Sequence, residues 1–185
     1  MNNILQGINV YLIGMMGVGK TTVGRFLAQH LEYGFLDTDE VITKAAGKSI
    51  NEIFASVGEA GFRQIESDIL QQICAYTKLA IATGGGIIIR RENWGYLRHG
   101  LVVWLDVPID ILCSRLTEDM TRPLLQDADL KAKLRSLLEQ RTPLYSQADL
   151  HITISDGETP KSIAERIINQ MPSVLKNDNS HNSQN

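Results

Sequence analysis

Residues Gly14-Met15-Met16-Gly17-Val18-Gly19-Lys20-Thr21 have the form G-x-x-x-x-G-K-[ST]. Before them stand Val10, Tyr11, Leu12 and Ile13, an apolar run that reads as a buried strand. After them come Val23, Phe26, Leu27 and Leu31, spaced i, i+3, i+4 and i+8 on one face of a helix. Strand, glycine loop and helix together are the context a phosphate-binding loop requires. Glycines let the backbone curl so that successive N–H groups point inward, and the helix amino terminus adds partial positive charge. In such a loop Gly14, Gly17, Val18, Gly19, Lys20, Thr21 and Thr22 would surround the phosphates of a nucleotide, with Lys20 reaching the β- and γ-phosphates and Thr21 ligating Mg²⁺.

A chain of 185 residues has room for one domain, expected over residues 1–172, with at most a small insertion. At this size roughly 70% of the unfolded surface can be buried, so no disulfide or metal staple is needed. A formal net charge of −3 argues against broad nucleic-acid binding but leaves room for a local basic cleft. Cys74 and Cys113 lack metal-ligand spacing and lie in apolar helical patterns, so buried free thiols and a reducing cytoplasm are expected. Residues 1–7 hold no basic region followed by an apolar run, no apolar run is long enough to span a bilayer, and no internal repeat is visible.

Further along, Phe35-Leu36 ends in Asp37-Thr38-Asp39. Ligands of open α/β sheets collect at the carboxyl ends of strands, which suits two carboxylates for chemistry. Either aspartate, or Thr38, could also cap the helix that contains Val41 and Ile42. Ser49-Ile50-Asn51-Glu52 has the form of a capping box, so a short helix through Phe54 is expected. A longer helix follows from 58–63 onward, with Ile65, Ile69, Leu70 and Ile73 on one face. Arg63 and Glu66 are i, i+3 on it, and on spacing alone they read as an exposed ion pair worth a few tenths of a kcal/mol. Residues 79–82 read as a strand with Thr83-Gly84-Gly85-Gly86 at its end, where glycines would expose backbone N–H groups to a closely approaching ligand.

Residues 101–105 form the next apolar strand, and Pro108 suits the first turn of a helix with Ile111, Leu112 and Leu116. Residues 117–128 are polar and carry Arg122 before Pro123, which reads as a mobile lid. Leu130, Leu134, Leu137 and Leu138 mark a helix ending near Arg141. Residues 150–154 form a last strand, and Ile163, Ile167, Ile168 and Met171 a closing helix stopped by Pro172. Residues 173–185 are polar and expected to be disordered. Five apolar strands alternating with helices imply an α/β sandwich on a mainly parallel sheet, with strand order left open.

Phosphate loop, aspartate pair and triple glycine all fall at strand ends. Around them stand Arg63, Arg115, Arg122 and Arg141, more cations than a nucleotide alone needs. Arginine grips carboxylate or phosphate with two prongs. A carboxylate such as Asp39 beside it would orient or deprotonate a hydroxyl acceptor. The residues therefore point to a small-molecule kinase acting on an acidic, hydroxylated substrate.

At this point the chain resembles the shikimate kinase family over residues 8–171. The resemblance is carried by the phosphate loop, Asp37-Thr38-Asp39, the segment 49–54, Gly58-Glu59 with Phe62-Arg63 and Glu66, Gly84-Gly85-Gly86, Arg122-Pro123-Leu124-Leu125, and Arg141-Thr142-Pro143-Leu144-Tyr145. It implies a three-layer α/β/α fold of the nucleoside-monophosphate-kinase type around a five-stranded parallel sheet. It implies transfer of the ATP γ-phosphate to the 3-hydroxyl of shikimate, with Mg²⁺, in aromatic amino-acid biosynthesis. It further implies that Lys20, Asp39 and Arg122 are catalytic, that Thr21 ligates the ion, and that Asp37 supports it through water. Arg115 and Arg122 would lie on the nucleotide. Asp39, Phe62, Arg63, Gly84, Gly85, Gly86 and Arg141 would meet shikimate, with Glu66 orienting Arg63 and overturning the exposed-pair reading. ATP and shikimate are the expected partners of a cytoplasmic monomer, without nucleic acid or membrane. Rivals are another small kinase, for gluconate or a nucleotide, and a non-catalytic nucleotide-binding relic. A GTPase would want an N-K-x-D motif, and none is found.

Overall fold

The computed structural model describes residues 5–117 and 130–178. Its elements are β1 (Val10–Ile13), α1 (Lys20–Leu31), β2 (Gly34–Asp37), α2 (Thr38–Ala46), α3 (Ile50–Ile73) and β3 (Leu79–Ala82). A 3₁₀ turn (Ile87–Ile89) then leads to α4 (Arg91–Leu97), β4 (Leu101–Asp106), α5 (Ile109–Thr117), α6 (Leu130–Tyr145), β5 (Leu150–Thr153) and α7 (Pro160–Asp178). The strands form one parallel sheet in the order β2-β3-β1-β4-β5.

The three interior strands are apolar because helices cover both faces, so side chains on either side of the pleat need an apolar partner. All four residues of β1 are buried, as are residues 101–105 of β4. At the edge, β5 alternates, with Leu150 and Ile152 inward and His151 and Thr153 exposed. Leu12 pairs with Ala82, and Ala82 with Asp37, so the ends of β1, β2 and β3 are level. The register thus delivers the loop after β1, the aspartates after β2 and the glycines after β3 to one rim. Connections leave on opposite sides of β1 there, the kind of crevice where open α/β sheets bind ligands.

The Ser49 capping box forms as expected. The Glu52 amide donates to Ser49 Oγ at 3.3 Å, and the Ser49 amide donates to Glu52 Oε2 at 2.8 Å. The expected short and long helices are continuous in α3, with a kink at Gly58 (φ 69°, ψ −178°) between them. Other expectations need correction. The 3₁₀ turn and α4 were not anticipated. Helix α6 runs past Arg141 to Tyr145 with Pro143 inside it. Helix α7 runs through Pro172 to Asp178, so the segment from 173 is not an extended tail at its start. Val174 and Leu175 extend the apolar stripe of Met171 at i+3 and i+4 and pack on the main core. Their burial offsets the backbone hydrogen bond that proline cannot make. Neither cysteine forms a disulfide among the described residues, and both are only half-buried. Among the described residues, no helix is long and apolar enough to cross a membrane.

Candidate active site

In the phosphate loop, Gly14 (φ 141°), Gly17 (φ 78°) and Gly19 (φ 98°) adopt backbone conformations that disfavour side chains. A Cβ on Gly14 would also run into the Leu105 carbonyl of β4. The loop therefore curls tightly against the sheet. Helix α1 begins with no side-chain cap and no acidic residue in its first turn, so its N–H groups and dipole are left for an anion. Lys20 is 9% exposed, and its ammonium donates to the Gly14 and Met15 carbonyls at 2.8 Å each. Val18 is buried and Thr22 exposed. Arg115 reaches from α5 and donates to the Val18 carbonyl at 3.3 Å, which ties the loop to the next layer.

Asp37 has two duties. One carboxylate oxygen caps α2, accepting from the amides of Asp39 (2.9 Å) and Glu40 (3.4 Å). The other accepts from the Thr21 hydroxyl at 2.6 Å, across from the phosphate loop. The capping expected of this segment thus falls to Asp37, while its second oxygen faces the phosphate loop. Asp39 follows in the first turn of α2, half-buried, with Gly84 beside it. Thr38 between them is fully buried, and its hydroxyl accepts from the Gly84 amide at 2.9 Å, locking the glycine segment to the aspartates.

Beyond the aspartates lies a second cationic cluster. Arg63 donates to Glu66 at 2.6 Å and to Glu59 at 3.2 Å. Glu66 is 1% exposed, so this is a buried pair rather than the exposed one that spacing alone suggests. Burial drives the Glu66 pKa up, Arg63 opposes that rise, and the Asp39 carboxylate adds to it. Burial also works against the Arg63 charge, but Glu66 and Glu59 outweigh it and hold its pKa up. From α6, Arg141 is 8% exposed and donates to the Gly85 carbonyl at 3.3 Å. Tyr145, one turn further on and fully buried, donates to the same carbonyl at 2.8 Å. Its pKa is pushed up to about 12 by burial, so it stays a donor.

The rim thus gathers a tight glycine loop at the head of α1, a carboxylate at its flank and two arginines behind, Arg141 buried and Arg63 15% exposed. The shikimate kinase family profile matches residues 16–172. The chain is 73% identical to a shikimate kinase of Nostoc punctiforme, over 98% of this chain and 100% of that one. The chain belongs to the shikimate kinase family. Among solved structures, the shikimate kinase from Acinetobacter baumannii in complex with shikimate is similar, at 40% identity and TM-score 0.85, over 92% of this chain and 96% of that one. A gluconokinase from Sinorhizobium meliloti, at 14% identity and TM-score 0.60, covers 95% of this chain and 98% of its own and shares the fold.

Most of the residues that the family resemblance implies are brought together at the rim. Phe62 is a partial exception. It is 3% exposed, stacks on Phe54 at 4.3 Å, and packs with Ile42 and Ile53, so its ring supports Arg63 from below. The glycines prove to be small chiefly because the protein fills the space beside them. A Cβ on Gly84 would meet Glu66 and Asp39, one on Gly85 the phosphate-loop backbone, and one on Gly86 the Arg63 guanidinium. Arg122 and the rest of the proposed lid from 118 onward lie outside the described residues. Thr38 and Tyr145 were missed as site residues. The signal for Tyr145 was its i+4 spacing from Arg141, hidden because the helix was expected to end before Pro143.

Proposed function

We propose that this chain transfers the γ-phosphate of ATP to the 3-hydroxyl of shikimate, giving shikimate 3-phosphate and ADP for aromatic amino-acid biosynthesis. The observation that carries the residue assignment is the convergence of Arg63 and Arg141 on the Gly84–Gly86 segment, with Asp39 between them and the phosphate loop. A ring carboxylate gripped by the two arginines leaves its hydroxyls facing Asp39. That carboxylate accepts a hydrogen bond from the acceptor hydroxyl and aims its oxygen at the phosphoryl group. Phosphoryl transfer asks mainly for position and charge stabilisation, so orientation by Asp39 is its main task, with proton acceptance as the bond forms. Glu66 holds Arg63 in place, and Tyr145 holds the Gly85 carbonyl on which Arg141 also rests.

On the nucleotide side, the loop amides and the α1 amino terminus take the phosphates. Lys20, now resting on two loop carbonyls, supplies the cation for the transferring group, and Arg115 flanks the nucleotide. The oxygen pair Thr21 and Asp37 fits a hard divalent cation. Thr21 would hold Mg²⁺, with Asp37 acting through water, and the ion would neutralise phosphate charge. Two half-buried cysteines outside any disulfide suit a reducing cytoplasm, and we place the enzyme there as a monomer with no nucleic-acid or membrane partner.

The test is ADP release measured with shikimate, gluconate and nucleoside monophosphates side by side, with and without Mg²⁺. Shikimate alone should raise ATP turnover well above background, and only with the metal. Equal or greater turnover with gluconate or a nucleotide would overturn the assignment.

A further inference from the structure

Away from the phosphate loop and the Arg63–Arg141 cluster, a cleft of about 590 Å³ opens between α4 and the end of α6. Ile88, Ile89, Trp94 and Leu144 give it an apolar lining, and Arg91 and Arg98 stand on its rim. We propose that this cleft is a second ligand site, shaped for a flat, ring-bearing dicarboxylate.

The floor is fixed before any ligand arrives. Trp94 is 5% exposed, and its indole N–H donates to the Ile88 carbonyl at 3.0 Å. Next to it Asn93 donates to the Ile87 carbonyl at 2.8 Å, so α4 is bolted to the 3₁₀ turn. Gly95 follows Trp94 along the cleft, and a Cβ there would meet nothing within 4 Å. A helix interior that keeps glycine where a side chain would fit sacrifices helix propensity and leaves flat backbone open to close approach. Ile89 is 42% exposed, unusual for a large aliphatic side chain in this chain. An indole floor, a bare helix face and an uncovered isoleucine together suit a ring.

Charge sets the rest of the ligand. Neither the Arg91 nor the Arg98 guanidinium makes a hydrogen bond or ion pair among the described residues, and both residues are exposed. The neighbouring acid, Glu92, is taken by Arg90 at 2.8 Å. In a chain of formal net charge −3, two uncompensated guanidiniums beside one cleft are a recognition feature. Seven residues apart, they lie on nearly the same helix face and are separated by about 10 Å along its axis. One carboxylate at each end of a ring matches that spacing, and guanidinium binds carboxylate with charge-assisted, two-pronged bonds. The volume falls within the range of small-molecule pockets.

The probe is terephthalate, titrated by calorimetry into the full chain with shikimate at saturation, so that the Arg63–Arg141 grip is filled. We expect one saturable site. The Arg91→Gln/Arg98→Gln variant should bind at least about tenfold more weakly, while keeping its melting temperature and kinase activity. Inorganic phosphate, which lacks the ring, and 1,4-benzenedimethanol, which lacks the charge, should each bind at least about tenfold more weakly than terephthalate to the unaltered chain. Should the double variant lose its melting transition, Arg98→Glu alone carries the same expectation. The proposal is overturned by no saturable binding, by competition with shikimate, by indifference to the arginine variants, or by equal affinity for phosphate or the diol.

Discussion

Arg63→Ala removes the guanidinium that faces Glu66 at 2.6 Å and leaves a carboxylate that is 1% exposed without its cation. The bond to Glu59 contributes little, because that partner is 69% exposed. The buried half of the interaction decides the outcome. Removing one partner of a buried pair costs roughly 3–5 kcal/mol, because the stranded charge has lost its water as well as its partner. In a chain of this length that lowers the melting temperature by on the order of 10 °C. The loss has a pH signature. Burial and Asp39 already hold the Glu66 pKa above its ordinary value of 4.5, and Arg63 is the main influence opposing them. Without Arg63 the folded-state pKa rises further. An acid whose folded pKa exceeds its unfolded one contributes stability that is full below the unfolded pKa and lost as pH rises through the folded one. The variant's deficit is therefore greatest at neutral and mildly alkaline pH, and shrinks as the pH falls toward 4.5. Urea denaturation of the unaltered chain, Arg63→Ala, Glu66→Gln and the double variant, from about pH 8 downward, reads this directly. The double variant should be more stable than Arg63→Ala at neutral pH, since the amide carries no charge to strand. A deficit independent of pH, or a double variant no better than Arg63→Ala, would refute the reasoning.

Lys20→Ala should fold normally and lose on the order of 10²–10³ in kcat, because the cation acts on charge in the transferring group; near-full turnover would contradict that role. Asp39→Asn should lower both kcat and shikimate affinity while ATP affinity holds, as measured by calorimetry; lost ATP affinity with normal shikimate binding would move Asp39 to the metal. Tyr145→Phe takes a donor from the buried Gly85 carbonyl, so it should cost about 0.5–1.5 kcal/mol of stability and raise KM for shikimate more than it lowers kcat. A KM equal to that of the unaltered chain would leave Tyr145 a packing residue only.

The three interior strands were legible because interior parallel strands must be apolar throughout, and 101–105 or Val10–Ile13 can hardly be anything else. The capping box was legible because Ser49 and Glu52 are local partners. Helix α4 was not, since its seven residues give only Trp94 and Leu97 as an apolar i, i+3 pair. The prolines misled in one direction. Pro172 reads as a helix stop and Arg141 as a helix end, yet Pro143 and Pro172 are both helical because the residues that follow, Tyr145 and then Val174 and Leu175, are held by tertiary contacts. Propensity is a local quantity, and burial of a whole face outweighs one missing hydrogen bond.

The Arg63–Glu66 pair shows why the site was harder to read than the fold. Helix spacing says that the two residues meet, and nothing in that spacing says whether water meets them too. What takes the water away is the segment after β3, far along the chain, where Gly84 lies against Glu66 and Gly86 against Arg63. Any side chain at those positions would displace the carboxylate or the guanidinium. The glycines are therefore the non-local half of the ion pair: they let backbone close over two charges that the helix alone would leave in solvent. Once closed, the pair changes from a few tenths of a kcal/mol to several when broken, and one arginine is held in a single direction, toward the space where a substrate carboxylate would lie.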